Sequence, residues 1–319
     1  MVTGGAGYIG SHVVRELAAA GIPVVVYDNL CTGVRAFVPD DVAFVEADLL
    51  DTGALRAALA ENLVTGVIHI AGFKFAGLSV EQPIHTYRQN VTATMALLEA
   101  MNAEGVQKIV FSSSSSVYGN AASGLVEEDH PFNPTSPYGE SKVIGEWLLH
   151  NQGVAAGLVH TSLRYFNVVG SGYPTLPDVS PYNLLSMVFA AVEEGHTPVI
   201  NGDDYDTPDG TCIRDYIHVS DLAAAHVSAA QRMDRGEAID TAYNLGSGVG
   251  TSVAEMMAAI AAAMDIDFTP VVGPRRIGDP ARVVASGDKA SADLFWKMSH
   301  TLPEMIESAW LARKSLSRE

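Results

Sequence analysis

Short β-branched runs alternate with Ala- and Leu-rich stretches through the first half of the chain, and that alternation restricts the fold more than any other feature. Repeated strand–helix units bury both faces of a sheet when the strands run parallel and helices cover either side. The runs predict strands over Met1–Thr3, Val24–Asp28, Ala43–Glu46, Val67–Ile70, Lys108–Ser113 and Leu158–Phe166. Met1–Thr3 is short for a central strand, which raises the question whether residues precede Met1. Past Asn167 the alternation breaks up, with Pro174, Pro177, Pro181, Pro198, Pro208, Pro270, Pro274 and Pro280 cutting it into short pieces. Ser252 followed by Glu255 predicts a capping box that opens an Ala-rich helix through Met264. The expectation is an α/β fold, a doubly wound parallel sheet with a smaller mixed α/β lobe.

The turn after the first predicted strand reads GGAGYIG, with Gly4, Gly7 and Gly10 at three-residue spacing. In a strand-to-helix turn such glycines permit the tight turn, the approach of backbone to phosphate, and close packing of the helix. The helix start beyond them offers unpaired N–H groups and about half a positive charge. The next predicted strand ends in Asp28, a carboxylate suited to both hydroxyls of an adenosine ribose. No basic residue follows before Arg35, so a 2′-phosphate there meets repulsion without compensation. The pattern points to NAD rather than NADP.

Composition narrows the partners. With 319 residues, 48% of them hydrophobic, the chain can bury a large core, and a net charge of −18 repels nucleic acid and anionic lipid surfaces. An anionic ligand must therefore meet a local cluster of Arg, Lys or backbone N–H groups. Cys31 and Cys212 stand far apart and without metal-site spacing, so no metal is expected and a reducing compartment fits. The glycine turn begins too near the first residue for a signal peptide to precede it, and no apolar run reaches the length of a membrane span. A cytoplasmic protein with no membrane partner is the expectation.

The stretch SPYGESK places Tyr138 and Lys142 four residues apart, adjacent on one helix face, with Ser136 able to cap the helix and Pro137 suited to its first turn. It follows FSSSSSVYG, where a predicted strand runs into serines at the carboxyl edge of the sheet, the edge at which doubly wound folds bind ligands. A tyrosine ionises near ~10, so use as a base near neutrality requires roughly 4 kcal/mol of stabilisation of the phenolate. One cation at about 5 Å contributes roughly 3 kcal/mol at an effective dielectric of about 20. Lys142 together with a nicotinamide cation would suffice.

The G-x-x-G-x-x-G spacing resembles that of the extended short-chain dehydrogenase/reductases, which have a Rossmann-like sheet. Nine segments, MVTGGAGYIGSH, YDNLCTG, VIHIAGFK, FSSSSSVYG, SPYGESK, LRYFNVVG, DGTCIRDYIHVSDLA, YNLGSGVGTSV and RRIGDPA, resemble in order those of the UDP-glucose 4-epimerase branch of that family and span nearly the whole chain. The resemblance implies a tightly held, unconsumed NAD and reversible C4 epimerisation of UDP-galactose and UDP-glucose through a 4-keto sugar. It implies Ser114, Tyr138 and Lys142 as catalytic residues. The cofactor would be held by Gly4, Gly7, Tyr8, Ile9, Gly10, Asp28, Asn29, Asp48, Leu49, Ile70, Ala71, Gly72, Lys74, Asn90, Ser112 and Tyr165 besides Tyr138 and Lys142. The UDP-hexose would meet Lys74, Ser114, Tyr138, Asn167, Asn183, Leu184, Arg214, Arg276, Asp279 and Val283, with Tyr165 and Phe166 shaping the sugar cavity. Residues 1–169 would form the NAD-binding domain, with part of 205–240 returning to it, and 170–319 the nucleotide-sugar lobe. A homodimer through the helices expected at Pro83–Ala103 and Pro137–Asn151 is implied as well.

Some positions depart from the family pattern. Glu140 stands two residues from Tyr138 and is expected to point away from it, and Leu78 and Ala93 replace Glu and Gly. The stretch between Asn167 and Asn183 is shorter than in several relatives, which leaves the loop over the sugar undetermined. Val283 is of moderate size where relatives vary between a bulky aromatic and a smaller residue, which implies some turnover of UDP-N-acetylhexosamines. A dehydratase would need carboxylates where Ser115 and Ser116 stand. Epimerases of a UDP-N-acetylhexosamine, UDP-pentose or UDP-uronate, and a non-catalytic NAD-binding regulator, are the alternative readings.

Overall fold

Seven short runs of mostly apolar residues pair side by side, and all but the outermost, Ala43–Glu46, are largely buried. In the computed structural model, which describes residues 1–120, 124–276 and 279–316, they are β1 (Val2–Thr3), β2 (Val25–Asp28), β3 (Ala43–Glu46), β4 (Val67–His69), β5 (Lys108–Ser112), β6 (Val159–Tyr165) and β7 (Ala242–Leu245). Their order is β7-β6-β5-β4-β1-β2-β3, and every neighbouring pair is parallel. Successive side chains of a strand point to opposite faces. Val2, Val26, Ile68, Val110 and Leu163 accordingly pack on one side and Val25, Tyr27, Val67, Ile109 and Phe111 on the other.

The first face is covered by α1 (Tyr8–Ala19) through Val13, Val14 and Leu17, and by the later helix Val219–Asp234 through Leu222, Ala225 and Ala229. The second is covered by α2 (Thr52–Glu61), α3 (Ala93–Ala103) and α4 (Pro137–Ala156), which contribute Leu55, Leu97 and Leu149 among others. We call Val219–Asp234 α5. β1 and β4 are neighbours while the chain winds outward from them in both directions, so the glycine turn after β1 opens at the switch point of the sheet.

The segment returning to this sheet includes β7, which lies past residue 240, where the sequence reading stops. The stretch 83–103 is not one regular helix: a π-turn at Arg88–Thr92 separates Pro83–Tyr87 from α3 and carries Asn90. α4 begins as its sequence requires, with the Ser136 hydroxyl accepting from the Gly139 N–H and Pro137 in the first turn, and it runs on to Ala156.

The smaller lobe is built on a four-stranded sheet. Ile213–Arg214 lies between Thr251–Ser252, antiparallel, and Arg282–Ala285, parallel, with Leu125–Val126 beyond the latter. The capping box forms: Glu255 N–H donates to Ser252 Oγ at 3.0 Å and Ser252 N–H to Glu255 Oε2 at 2.8 Å, opening helix Val253–Met264. Among the described residues no helix is long and apolar enough to cross a membrane.

Candidate active site

Gly4 turns the chain out of β1 with φ +71°, where a Cβ would meet the Ala71 backbone nitrogen at 2.7 Å. A Cβ on Gly10 would lie 2.0 Å from the Gly4 carbonyl oxygen, so the helix start rests directly on the turn. Gly7 is the N-cap of α1, without a side-chain cap, and a Cβ there would meet only the Gly4 oxygen, at 3.3 Å. The first N–H groups of α1, at Tyr8 and Ile9, thus face a space that any larger residue at position 7 would narrow, which fits a dinucleotide pyrophosphate. The Tyr8 side chain is committed elsewhere: its hydroxyl donates to the Gly170 carbonyl at 2.5 Å, buried, so only its backbone is available to a phosphate.

Asp28 ends β2 buried, its carboxylate accepting from Ala6 N–H at 3.0 Å and Leu30 N–H at 2.8 Å. Burial raises its pKa and the two N–H groups oppose the rise. A carboxylate has about four acceptor positions, so two remain for vicinal hydroxyls. A Cβ on Gly33 would come within 2.8 Å of Asp28 Oδ1, so the space beside the carboxylate depends on that glycine. Asn29 donates to Asp48 Oδ2 at 2.8 Å and Asp48 Oδ1 accepts from Leu50 N–H at 2.8 Å, a polar rim beyond β2 and β3. Leu49 is buried in the core and can meet a ligand only through its backbone.

Ile70 and Ala71 leave β4 with their N–H groups bonded to the Thr3 carbonyl at 3.2 and 3.1 Å. Asn90, on the π-turn, clamps the next residues: its Oδ1 accepts from Phe73 N–H, and its Nδ2 donates to the Phe73 carbonyl and to Ser141 Oγ. Both amide protons are used, so Asn90 holds the loop and α4 rather than presenting a free donor. Gly72 sits against it, a Cβ there meeting Asn90 Oδ1 at 2.9 Å. Lys74 is exposed on the same loop.

At the carboxyl ends of β5 and β6 the serines divide their tasks. Ser112 bonds to His226 Nε2 at 2.8 Å, and Ser113 donates to Glu146 Oε1 at 2.5 Å, both buried. Ser114 caps a short 3-10 turn by accepting from Ser116 N–H at 3.2 Å, and its hydroxyl also bonds that of Ser116 at 3.1 Å. Tyr138 is partly exposed on the first turn of α4, and its backbone N–H, which has no partner within the helix, donates to Ser79 Oγ at 3.1 Å. Lys142, one turn on, is buried; its Nζ donates to the Ser112 carbonyl at 2.8 Å and stands 5.8 Å from the Tyr138 ring centroid. Tyr165 ends β6 half-buried; burial raises its pKa, Tyr138 adds to the rise and Ser112 opposes it.

The electrostatics correct one expectation. Desolvation raises the Tyr138 pKa, Ser114 opposes the rise, and Lys142 is not among the groups that shift it. The chain alone therefore holds Tyr138 as a neutral phenol near pH 7, and the anion requires positive charge from the ligand. Lys142 is itself pulled down by burial to about 8, against the upward pull of Glu146. Glu140 points away from the base, as the sequence suggested, and accepts from the Tyr87 hydroxyl.

Beneath the cluster lies a buried ion pair: Arg164 Nη2 to Glu146 Oε2 at 2.6 Å, with Arg164 Nη1 also donating to the Tyr118 hydroxyl at 2.7 Å and the Glu128 carbonyl at 2.8 Å. His69 is also buried. Thr94 Oγ1 spends its proton on the Asn90 carbonyl, so it accepts from His69 Nε2, and His69 Nδ1 is left to accept from Thr3 Oγ1 at 2.7 Å. Burial, then Lys142, hold His69 neutral with a pKa of about 3. The sequence reading missed Ser79, Glu146, Arg164, His69 and His226, because each reaches the site by contacts between residues distant in sequence.

In the smaller lobe Arg214 Nη1 donates to the Pro280 carbonyl at 2.8 Å and its Nη2 lies 3.5 Å from Asp279 Oδ1. Val283 pairs in register with Arg214 and is buried. Arg276 is exposed, its carbonyl accepting from Asp279 N–H. Asn167 donates through Nδ2 to the Asp215 carbonyl at 3.0 Å, and Asn183, at the N-cap position of the helix led by Leu184, makes no cap bond and instead donates through Nδ2 to Asp178. Arg214, Asp279 and Val283 thus form one cluster, and Ser114, Tyr138, Lys142, Ser112 and Tyr165 another.

Known proteins have similar chains. Residues 1–246 match the model of the NAD dependent epimerase/dehydratase family. The chain is 40% identical to the UDP-glucose 4-epimerase of Lacticaseibacillus casei over 316 residues, covering 97% of this chain and 95% of that one. It is similar in structure to the UDP-glucose 4-epimerase of Brucella ovis in complex with NAD, with a TM-score of 0.93 and 38% identity over 97% of this chain and 96% of that one. The same holds for the enzyme of Bifidobacterium longum in complex with NAD+ and UDP, with a TM-score of 0.90 and 37% identity over 98% and 97%.

Proposed function

The chain belongs to the NAD dependent epimerase/dehydratase family, and from that membership we infer that it interconverts UDP-galactose and UDP-glucose at C4 with a bound NAD. The observation that carries the reading is Tyr138 one helical turn before Lys142, whose Nζ lies 5.8 Å from the Tyr138 ring centroid and is bonded to the Ser112 carbonyl at the carboxyl end of β5. When bound, NAD supplies the positive charge that favours the phenolate and the nicotinamide that takes hydride from C4 and returns it to the opposite face.

Tyr138 takes the proton of the 4-hydroxyl and gives it back after the keto sugar has turned. Ser114 orients that oxygen, and Lys142 anchors the helix turn to Ser112. The α1 start, Asp28 and the 70–72 turn hold the dinucleotide. Arg214 and Arg276 neutralise the diphosphate of the UDP-hexose against the net charge of the protein, and Asp279 accepts from its ribose. Binding energy is thereby concentrated on the nucleotide, which leaves the hexose free to turn.

Residues 1–169 with α5 and β7 form the dinucleotide domain in this reading, and most of 170–319 the sugar-nucleotide lobe. We place the protein in the cytoplasm, consistent with Cys31 and Cys212 both being free. The helical stretch 83–103 and α4 expose Ile84, Met95, Trp147 and Val154, an apolar surface suited to a homodimer.

The test is incubation of the purified protein with UDP-galactose and no added cofactor, followed by NMR. UDP-glucose should accumulate to equilibrium without net NADH. An unchanged spectrum overturns the assignment.

A further inference from the structure

Two loops far apart in sequence meet beside the reacting cluster. The first is the turn after β4, where Phe73, Lys74 and Phe75 follow one another. The Phe73 ring stands edge to face against Phe75 at 5.4 Å and against His85 at 5.0 Å, and Lys74 Nζ lies 5.7 Å from the Phe75 ring centroid. The second precedes the helix led by Leu184, and there Tyr182 adjoins Asn183. The Phe75 and Tyr182 rings meet T-shaped, with centroids 5.0 Å apart and planes at 68°, a favoured aromatic geometry. Core packing does not account for this pair. Tyr182 is 57% exposed and Phe75 half-buried, and among the described residues neither joins one of the apolar cores.

Each ring belongs to a segment bonded into the candidate site. The Phe75 carbonyl accepts from Ser79 N–H at 2.9 Å, and Ser79 Oγ accepts from Tyr138 N–H at 3.1 Å, so Phe75 is two hydrogen bonds from the backbone of the base. Asn90 ties Phe73 to Ser141, whose hydroxyl donates to the Tyr138 carbonyl at 2.7 Å. On the other side Asn183, next to Tyr182, donates to Asp178 and lines one recess with Tyr8 and Val168. The two loops thus flank the path of the sugar nucleotide from Asn183 to Tyr138.

We propose that Phe75 and Tyr182 form a clasp over the hexose, closed while the 4-keto sugar turns and open to admit and release UDP-hexoses. In the first half of the reaction the C4–H bond breaks, its hydride passing to NAD+ and the hydroxyl proton to Tyr138. The keto sugar takes both back on its opposite face. A keto sugar lost between the two steps leaves NADH and a protonated Tyr138 behind. Because a firm grip on the nucleotide leaves the hexose loose, the closed clasp is what keeps a sugar that must turn from leaving.

The proposal rests on the epimerase reading, and its test separates the two. Phe75→Ala and Tyr182→Ala each remove one ring, and Tyr182→Phe keeps it. In either alanine variant the share of turnovers that end in released 4-keto sugar should rise roughly twofold to tenfold, the worth of one aromatic pair. It is read as NADH absorbance building up on protein given UDP-galactose and no added reductant. The double variant should leak no more than either single one, since both remove the same contact. Tyr182→Phe should hold the leak at the wild-type level. Amide exchange over residues 72–76 and 173–182, measured without sugar, reads the clasp apart from turnover and should quicken by the same factor in either alanine variant. An unmoved leak in both alanine variants overturns the proposal, as do multiplying effects in the double variant or an unchanged exchange rate. A wild-type protein that fails to convert UDP-galactose overturns the epimerase reading instead, and the exchange rates then still decide whether the two rings hold the loops together.

Discussion

Lys142 donates to the carbonyl of Ser112 at 2.8 Å while its Nζ stands 5.8 Å from the ring centroid of Tyr138. The lysine is thus tied first to the end of β5. Burial weakens its charge, with a pKa of about 8 against 10.5 for the free side chain. Between those values the unfolded chain binds the extra proton, so this group makes stability rise with pH across that window. The cost of burying the ammonium at pH 7 is roughly 3 kcal/mol. Lys142→Met should therefore raise the denaturant midpoint at pH 7, flatten the rise between pH 8 and 10.5, and abolish turnover. A lower midpoint would show that the Ser112 contact outweighs the desolvation.

Tyr138→Phe keeps the ring and removes the proton acceptor. Turnover should fall about 100- to 10,000-fold, the usual contribution of a general base. NAD released on denaturation should stay near one per chain, since the phosphate turn and Asp28 are untouched. Retained turnover assigns the base to another residue.

Asp28→Ala removes a buried acceptor of two N–H groups and of the ribose hydroxyls it is proposed to hold. Hydrogen bonds to a charged group contribute about 1.5–3 kcal/mol, so NAD affinity should drop roughly 10- to 100-fold. Cofactor content of the purified variant, before and after dialysis, measures it.

Trp147 is 54% exposed on α4. If the helical face it lies on is the dimer contact, Trp147→Glu should halve the mass seen by light scattering and leave the circular dichroism spectrum unchanged. A wild-type protein that is already monomeric rules the contact out.

Val283 is buried beside Arg214 in the smaller sheet. Its moderate volume predicts measurable kcat/KM for UDP-N-acetylglucosamine besides UDP-glucose, and Val283→Tyr should lower the former far more than the latter. Undetectable turnover of the acetylated sugar by the wild type would falsify this.

The sequence carried what depends on near neighbours along the chain. Strand and helix periodicity placed β2 to β6 to within a residue or two at each end, and caps at Ser136 and Ser252 were legible because a cap is a contact over three residues. Tyr138 and Lys142 were legible for the same reason, as one turn of one helix, and Gly4 and Gly10 because no Cβ fits where they stand.

Tertiary structure alone decided which groups surround those residues. The π-turn that commits Asn90 to Phe73, the return of β7 to the sheet, the seat of Ser79 under Tyr138, and the Glu146–Arg164 pair all join residues that only packing brings together. Proton positions belong to the same class: His226 is neutral and donates through Nδ1 because burial and the Leu222 carbonyl leave it no other state. Residue types and spacings determine what chemistry a chain can offer, whereas desolvation and hydrogen-bond direction arise only when distant segments exclude water together.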